Sequence, residues 1–463
     1  MRVNWLKSAL PVVLTGAFVS AIDLDVNDDQ SLKDAAGTAS YNAMTYYKGN
    51  ETGETPGKLP KTWWQGAMLF DTMIRYWHFT GDASNNAAVS QGMYHQSGDN
   101  SDYMPTNWSS YISNDDQAYW GLAAITAAEL DFPAKSKQPA WADLAQNVFD
   151  DLVQRWGGDS CEGGLRWQIF PYQSGYAMKS ASANGALFQL AARLAHYTGN
   201  KTHSDWAEKV WDWSKKTLIN EKEWKVADSV VTEDNCKRAS GDMQWTANYA
   251  LYLGGAAYMY NVTDGQEEWK KSINGLLTTT LQTFFPKKRN GTMSEVTCEV
   301  SGNCNQSEQT YKAILSSNLA SIALVAPYTA EEILPKLQDS ATAAAKHCTE
   351  GKDKSFCGPK WYESDDEEDS KPNIGEQISA TGLFSANLVA FKDQAPLSSR
   401  STSGNSTSGN DKSTRASASA SASASASPSA TGDENGAGTM GGTRSWAVTA
   451  AIVGVVSLME LVG

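Results

Sequence analysis

A helix-ending turn recurs along this chain. Phe79-Thr80-Gly81-Asp82 returns as Tyr197-Thr198-Gly199-Asn200 and, more loosely, as Tyr260-Asn261-Val262-Thr263-Asp264-Gly265. Gly beside Asn or Asp suits the left-handed residue that closes a helix. The interval from Phe79 to Tyr197 is about twice that from Tyr197 to Tyr260, which reads as two periods and one of about 60 residues each. Helical stripes fill the period. In 139–156, Trp141, Leu144, Val148, Leu152 and Trp156 fall at three- and four-residue steps, and similar stripes cover 182–198, 205–219, 245–260, 266–284, 311–325 and 331–347. Strand-like alternation is scarce. Helical hairpins of this length, six to the stretch 22–392, can bury their faces only against neighbours and so can close into a ring. The expected fold is all-α, an (α/α)6 barrel with six helices inside six.

The two ends have different composition. Arg2 and Lys7 precede an apolar run that stops at Val19-Ser20-Ala21, the pattern of a secretory leader (1–21) cleaved after Ala21. From 393 to 435 the chain is rich in Ser, Thr, Ala and Gly, too polar to offset its ordering entropy, and is expected to form a disordered stalk. Small residues at 435–437, a spacer and the apolar 446–463 match a GPI-attachment signal, with Asn435 as the attachment point and 436–463 removed. Glu460 and the lack of basic residues after the tail weigh against a plain membrane span. A surface destination agrees with glycosylation sequons at Asn50, Asn107, Asn200, Asn261, Asn290, Asn305 and Asn405. It also agrees with six cysteines, expected as Cys161–Cys236, Cys298–Cys304 and Cys348–Cys357. No Cys/His spacing resembles a zinc site, and neither metal nor cofactor is expected. A net charge of −14 argues against nucleic acid as a partner.

The chemistry centres on 111-YISNDDQAYWGLAAITAAEL-130. Other Asp-Asp pairs read as solvated: Asp28-Asp29 before the first helix, Asp150-Asp151 on a polar helix face, Asp365-Asp366 in an acidic loop. Asp115 and Asp116 instead lie among Trp108, Tyr111, Tyr119 and Trp120, with no Lys or Arg between Arg75 and Lys135. Asn114 or Asp115 is expected to cap a helix here, with Gln117 completing a capping box. One acid suffices for a cap, and a second adds repulsion. That repulsion keeps one carboxylate charged and raises the pKa of the other, which is what a retaining glycosidase needs of its nucleophile and its acid/base.

The stretches NDDQAYWGLA, 163-GGLRWQIF-170, 182-SANGALFQLAARLAHYTGN-200 with 206-WAEKVWDW-213, and 245-WTANYALYLGGAAYMYN-261 together resemble glycoside hydrolase family 76. This family contains the α-1,6-mannanases and their fungal GPI-anchored cell-wall relatives, and the resemblance spans 22–392. It implies an (α/α)6 barrel, with Asp115 as nucleophile and Asp116 as general acid/base of a retaining mechanism. It also implies α-1,6-mannan or the mannose core of GPI glycans as substrate, wall glucan as an acceptor, and a GPI lipid as the tie to the membrane. Near Trp245 the chain departs from the pattern of bacterial members, since Ala247 precedes Asn248. Trp63, Trp64, Trp120, Trp167 and Trp245 are candidates for stacking on sugar rings, and Asn114, Gln117, Tyr176, Lys179 and Asn248 for hydrogen bonds to them. Tyr172 could also reach a sugar hydroxyl, whereas His78 and His196 read as structural. A monomer is expected. The competing reading is a wall protein that grips mannan on the same barrel without cleaving it.

Overall fold

The computed structural model describes residues 22–392, apart from 60–61, 108–109, 159, 238–242, 352–353 and 363–371. The expected leader, stalk and GPI-attachment segment, together with Asn435, Asn405, Trp108 and the Asp365-Asp366 pair, lie outside the described residues. Twelve α-helices follow in order: α1 (Asp29–Met44), α2 (Trp64–Thr80), α3 (Asn86–Gln96), α4 (Asn114–Glu129), α5 (Trp141–Gln154), α6 (Ala181–Thr198), α7 (Lys201–Thr217), α8 (Thr246–Val262), α9 (Glu267–Phe284), α10 (Tyr311–Val325), α11 (Ala330–Lys346) and α12 (Ile374–Asn387). The even-numbered helices touch one another in cyclic sequence, α2 to α4 and so on to α12, which returns to α2. Each odd-numbered helix lies outside that ring, and α1 closes the circle against α12. The expected barrel of six inside six is present, and the inner helices begin at 64, 114, 181, 246, 311 and 374, close to the expected period.

Sequence pattern sorts the two layers. In α8 every residue from Thr246 to Met259 is buried, and α4 and α12 are nearly as enclosed. Such helices are apolar or small on all sides. Outer α5 buries only Trp141, Leu144, Ala145, Val148, Phe149 and Leu152, one face of the helix. Close approach of inner helices depends on small residues. A Cβ on Gly254 would stand 2.0 Å from Nε2 of Gln189 and 2.4 Å from Oδ1 of Asn318, so a larger residue there would displace that buried amide pair.

The recurring turns do what their composition predicts. Gly81 and Gly199 take the left-handed conformation after α2 and α6, and Asp264 and Gly265 do so after α8. Near these C-terminal ends the barrel is floored by buried charge. Arg193 of α6 pairs with Glu129 of α4 at 2.6 Å and donates to Thr126, while Tyr258 also donates to Glu129. Cations suit the negative ends of the helix dipoles. Removing one partner of such a dry pair typically costs about 3–5 kcal/mol. His78 and His196 sit at this floor end, and burial pushes the pKa of His78 down to about 4.

At the opposite end, the chain between α5 and α8 forms two short antiparallel ribbons. Met178–Ser180 pairs with Ser229–Val231, and Ile219–Asn220 with Lys225–Val226. Three disulfides join Cys161 to Cys236, Cys298 to Cys304 and Cys348 to Cys357, as the spacing suggested. Asn50, Asn107, Asn200, Asn261, Asn290 and Asn305 are all exposed.

Candidate active site

Inner helices that run parallel bring their N-termini together, and five of the six open onto one cleft of about 360 Å3. Trp64 comes from α2, Asp115, Asp116 and Tyr119 from α4, Ser182 from α6, Trp245 and Asn248 from α8 or its cap, and Tyr311 from α10. The positive ends of these helix dipoles therefore converge on the paired carboxyls. A wider groove of about 620 Å3 runs along α7 beside Cys161–Cys236. Its acids, Glu162, Asp205, Glu208 and Asp212, are all exposed.

The start of α4 differs from expectation. The cap is Ser113, whose Oγ accepts from the Asp116 N–H, while the Asp116 carboxylate accepts from the Ser113 N–H at 3.1 Å. The acid of the capping box is thus Asp116 itself, and neither Asn114, Asp115 nor Gln117 has the predicted capping role. Ser113 can take this role because it is held extended by a bridge to Gln168, with the Asn114 N–H donating to the Trp167 carbonyl at 2.9 Å. That partner lies some fifty residues away, beyond the reach of a local pattern.

Asp115 turns inward. Its Oδ2 accepts from Trp167 Nε1 at 3.1 Å and from Ser182 Oγ at 2.6 Å, and its Oδ1 from Ser113 Oγ and the Asp116 N–H. Burial raises its pKa, and the Ser113 and Ser182 hydrogen bonds pull the other way by favouring the anion. Among the described residues Asp116 has one donor, the Ser113 N–H, and otherwise it faces the cleft. Burial first, and the charge of Asp115 second, push its carboxyl up to about 7. Burial raises both carboxyls, and the neighbours differ in their donors: Asp115 is clothed in side-chain donors that favour its anion, whereas Asp116 has only the Ser113 N–H among the described residues.

Four of the expected sugar contacts, Trp64, Trp167, Trp245 and Asn248, line this cleft. The remaining six do not. Trp63 and Trp120 pack on each other in the core, 5.2 Å between centroids, with Trp63 Nε1 donating to Gln96 and Trp120 also stacked on Tyr103. Of two consecutive tryptophans on one helix start, only Trp64 can face the mouth. Gln117 donates to the Asp102 carbonyl and to Asp151, and Arg155 donates to both Gln117 and Asn114. Asn114 and Gln117 therefore brace α4 from behind. Asp151, which the pattern placed on a solvated face, is part of that brace. Lys179 points away because strand residues alternate: Met178 and Ser180 face the cleft, whereas the Lys179 ammonium is buried on carbonyls of Ser160 and Gly163. Tyr176 lies beneath the Arg166 guanidinium, 4.4 Å from its ring centroid.

Other residues at the cleft carried no local signal. Asp228 follows an outer ribbon, accepts from Asn248 Nδ2 at 3.1 Å, and has its pKa raised by burial. Gln168 Oε1 is buried without a partner among the described residues, an acceptor left for a hydroxyl. Tyr119 and Tyr311 flank Trp64, with centroids 5.0 and 6.1 Å away, and Trp245 stands edge-on to Tyr311 at 5.7 Å. Ser182, Gln168 and Tyr119 lie inside the motif stretches quoted above and could have been suspected from sequence, whereas Asp228 and Tyr311 could not.

Flat rings around an acid whose proton is poised near neutrality, at the mouth of an α/α barrel, make up the working parts of a glycoside-cleaving enzyme. Comparison with known proteins agrees. Residues 31–400 match the model of Glycosyl hydrolase family 76, and the chain belongs to that family. It is 40% identical over 401 residues to the mannan endo-1,6-alpha-mannosidase DCW1 of Saccharomyces cerevisiae, covering 86% of this chain and 87% of that one. A putative mannan endo-1,6-alpha-mannosidase of Schizosaccharomyces pombe is 40% identical over 377 residues, with 81% and 84% covered. Among solved structures, Dfg5 from Chaetomium thermophilum in complex with glucosamine superposes with a TM-score of 0.76 at 37% identity, over 82% of this chain and 94% of that one. An inactive variant of an alpha-1,6-mannanase of Salegentibacter sp., in complex with alpha-1,6-mannotetrose, shares the fold at a TM-score of 0.62 and 17% identity, with 77% and 98% covered. The chain is a glycoside hydrolase.

Proposed function

We propose that it is a retaining glycosidase or transglycosidase acting on α-1,6-mannosidic bonds of wall mannan or of the mannose core of GPI glycans. The observation that carries the mechanism is the asymmetry of the pair. Asp115 is surrounded by hydrogen-bond donors that favour its anion against the effect of burial, while Asp116 has one donor among the described residues and its pKa is pushed up to about 7. In the first step an Asp115 oxygen attacks the anomeric carbon, the bond to the glycosidic oxygen breaks, and Asp116 gives that oxygen its proton. In the second, Asp116 takes a proton from water or an acceptor hydroxyl, whose oxygen displaces Asp115 from the sugar and restores the original configuration. An inverting pair stands about 6.5–9.5 Å apart to admit a water, a spacing awkward for neighbours on one helical turn.

Asp228, Gln168 and Asn248 are placed to meet hydroxyls, and Trp64, Tyr119, Trp245 and Tyr311 to stack on C–H faces. In this reading the protein is secreted as a monomer and held at the outer membrane face by a GPI lipid on Asn435, in the wall, or in both, with wall glucan as an acceptor. The six exposed sequons carry glycans. An activated 2-fluoromannoside should leave a mannosyl ester on the peptide containing Asp115, detectable by mass spectrometry. A label on Asp116, or none from a protein that turns the substrate over, would refute the assignment. Residual turnover in Asp115→Asn at the wild-type rate would do the same.

A further inference from the structure

Beside the cleft the rim carries aromatic rings that the two aspartates do not need. Tyr111 is 75% exposed and Tyr172 70% exposed, a degree of exposure that among large apolar side chains of the described residues only Tyr41, on outer α1, shares. Tyr172 lies parallel to Phe170, with planes 4° apart and centroids separated by 5.5 Å. Its hydroxyl donates to the Ser110 carbonyl at 3.0 Å, which ties the segment around Tyr172 to the segment around Tyr111. A few residues further along, the same two segments are joined by the Ser113–Gln168 bridge and then enter the cleft as Ser113 and Trp167. The rim is thus continuous with the cleft wall. A single exposed ring is ordinary, but rings grouped beside a binding cleft mark a contact surface, and Tyr172 is held flat on Phe170 and tethered rather than loose.

The size of the cleft supplies a reason for such a surface. About 360 Å3 lies at the small end of ligand sites, room for a short oligosaccharide. A polymer whose reacting residues fill it must leave across the rim. We propose that Tyr111 and the Phe170–Tyr172 stack form an outer subsite for the part of an α-1,6-mannan chain that extends beyond the cleft. Pyranose C–H faces would lie on the open rings, and affinity would grow with chain length. The inference rests on the mannan reading of the cleft.

Calorimetry in an Asp115→Asn background, where turnover does not consume ligand, tests it with α-1,6-mannotriose and α-1,6-mannohexaose. The hexaose should bind at least several-fold more tightly than the triose. In Tyr111→Ser/Tyr172→Ser that advantage should fall by about tenfold, with triose affinity within about twofold of the parent. Tyr172→Phe keeps the ring and loses only the tether, so it should retain the long-chain preference. Tyr111→Ser leaves the Tyr172 tether in place and should still lose part of it. Equal affinity for both ligands in the parent, an equal loss for both in the double variant, or a Tyr172→Phe loss as large as that of Tyr172→Ser would each overturn the proposal. Turnover without length dependence sinks the rim alone. Length-dependent binding without turnover of mannan by the wild-type protein sinks the reaction assignment alone.

Discussion

Replacing Ser182 with alanine removes one of the donors that favour the Asp115 anion. The Ser182 hydroxyl donates to Asp115 Oδ2 at 2.6 Å, and among the described residues this carboxylate also accepts from the Asp116 N–H, Ser113 Oγ and Trp167 Nε1. A hydrogen bond to a charged group is worth about 1.5–3 kcal/mol. Losing it should therefore raise the pKa of Asp115 by about one to two units. The nucleophile must be deprotonated, so the acidic limb of the kcat/KM–pH profile should move up by that amount. The basic limb belongs to Asp116, whose proton is lost as pH rises through about 7. In wild type, activity should accordingly fall about tenfold for each pH unit above that limb. In Ser182→Ala the two limbs approach each other, the bell narrows, and its maximum drops. The assay is a pH series on one soluble α-1,6-mannoside, with circular dichroism confirming the fold. A profile that keeps its acidic limb and loses only height would show that Ser182 does not hold the charge of Asp115. A profile with no basic limb near neutrality would show that Asp116 is not the acid.

The same pair predicts a stability signature in Asp116→Asn. A carboxyl whose folded pKa lies above its unfolded value binds its proton more tightly when folded, so the cost of folding grows as pH rises from about 4 to about 7 and then levels off. The Tm of Asp116→Asn relative to wild type should rise across that window and stay flat above it; a difference independent of pH would contradict the raised pKa. Glu295 lies outside the cleft yet accepts from the Thr246 N–H and from its hydroxyl at 2.5 Å, fixing the start of α8 and so Trp245 and Asn248. Glu295→Ala leaves those donors without a partner in a dry site, so it should cost about 1–3 kcal/mol in denaturant unfolding and raise KM more than it lowers kcat. Glu295→Gln should restore most of both. The Cys161–Cys236 bridge spans 75 residues. By loop entropy, Cys161→Ser/Cys236→Ser should lose up to about 4 kcal/mol on unfolding. A loss confined to activity, with unfolding unchanged, would mean that the bridge serves only the mouth.

The barrel was legible because its determinants are local and repeated. Gly81 and Gly199 end inner helices wherever they fall, and a stripe such as Trp141 to Leu152 buries one face whatever its neighbour. Asp115 and Asp116 stood out for a similar reason, since two adjacent like charges among aromatic residues are costly in any fold. Which neighbours serve them was decided elsewhere. Gln117, Trp120 and Lys179 share the pair's sequence neighbourhood or motif company, yet they turn toward the brace, the core and the back of a strand. Asp228, Tyr311 and Ser182 come from other hairpins and reach the cleft because the ring closes. Helical and strand periodicity assign a residue to a face, but which face meets the axis depends on contacts with partners up to hundreds of residues away. For that reason the sequence by itself determined the helices, their number and the acids, and the closed ring of tertiary contacts decided which proton is held, which rings face the sugar, and which side chains only support them.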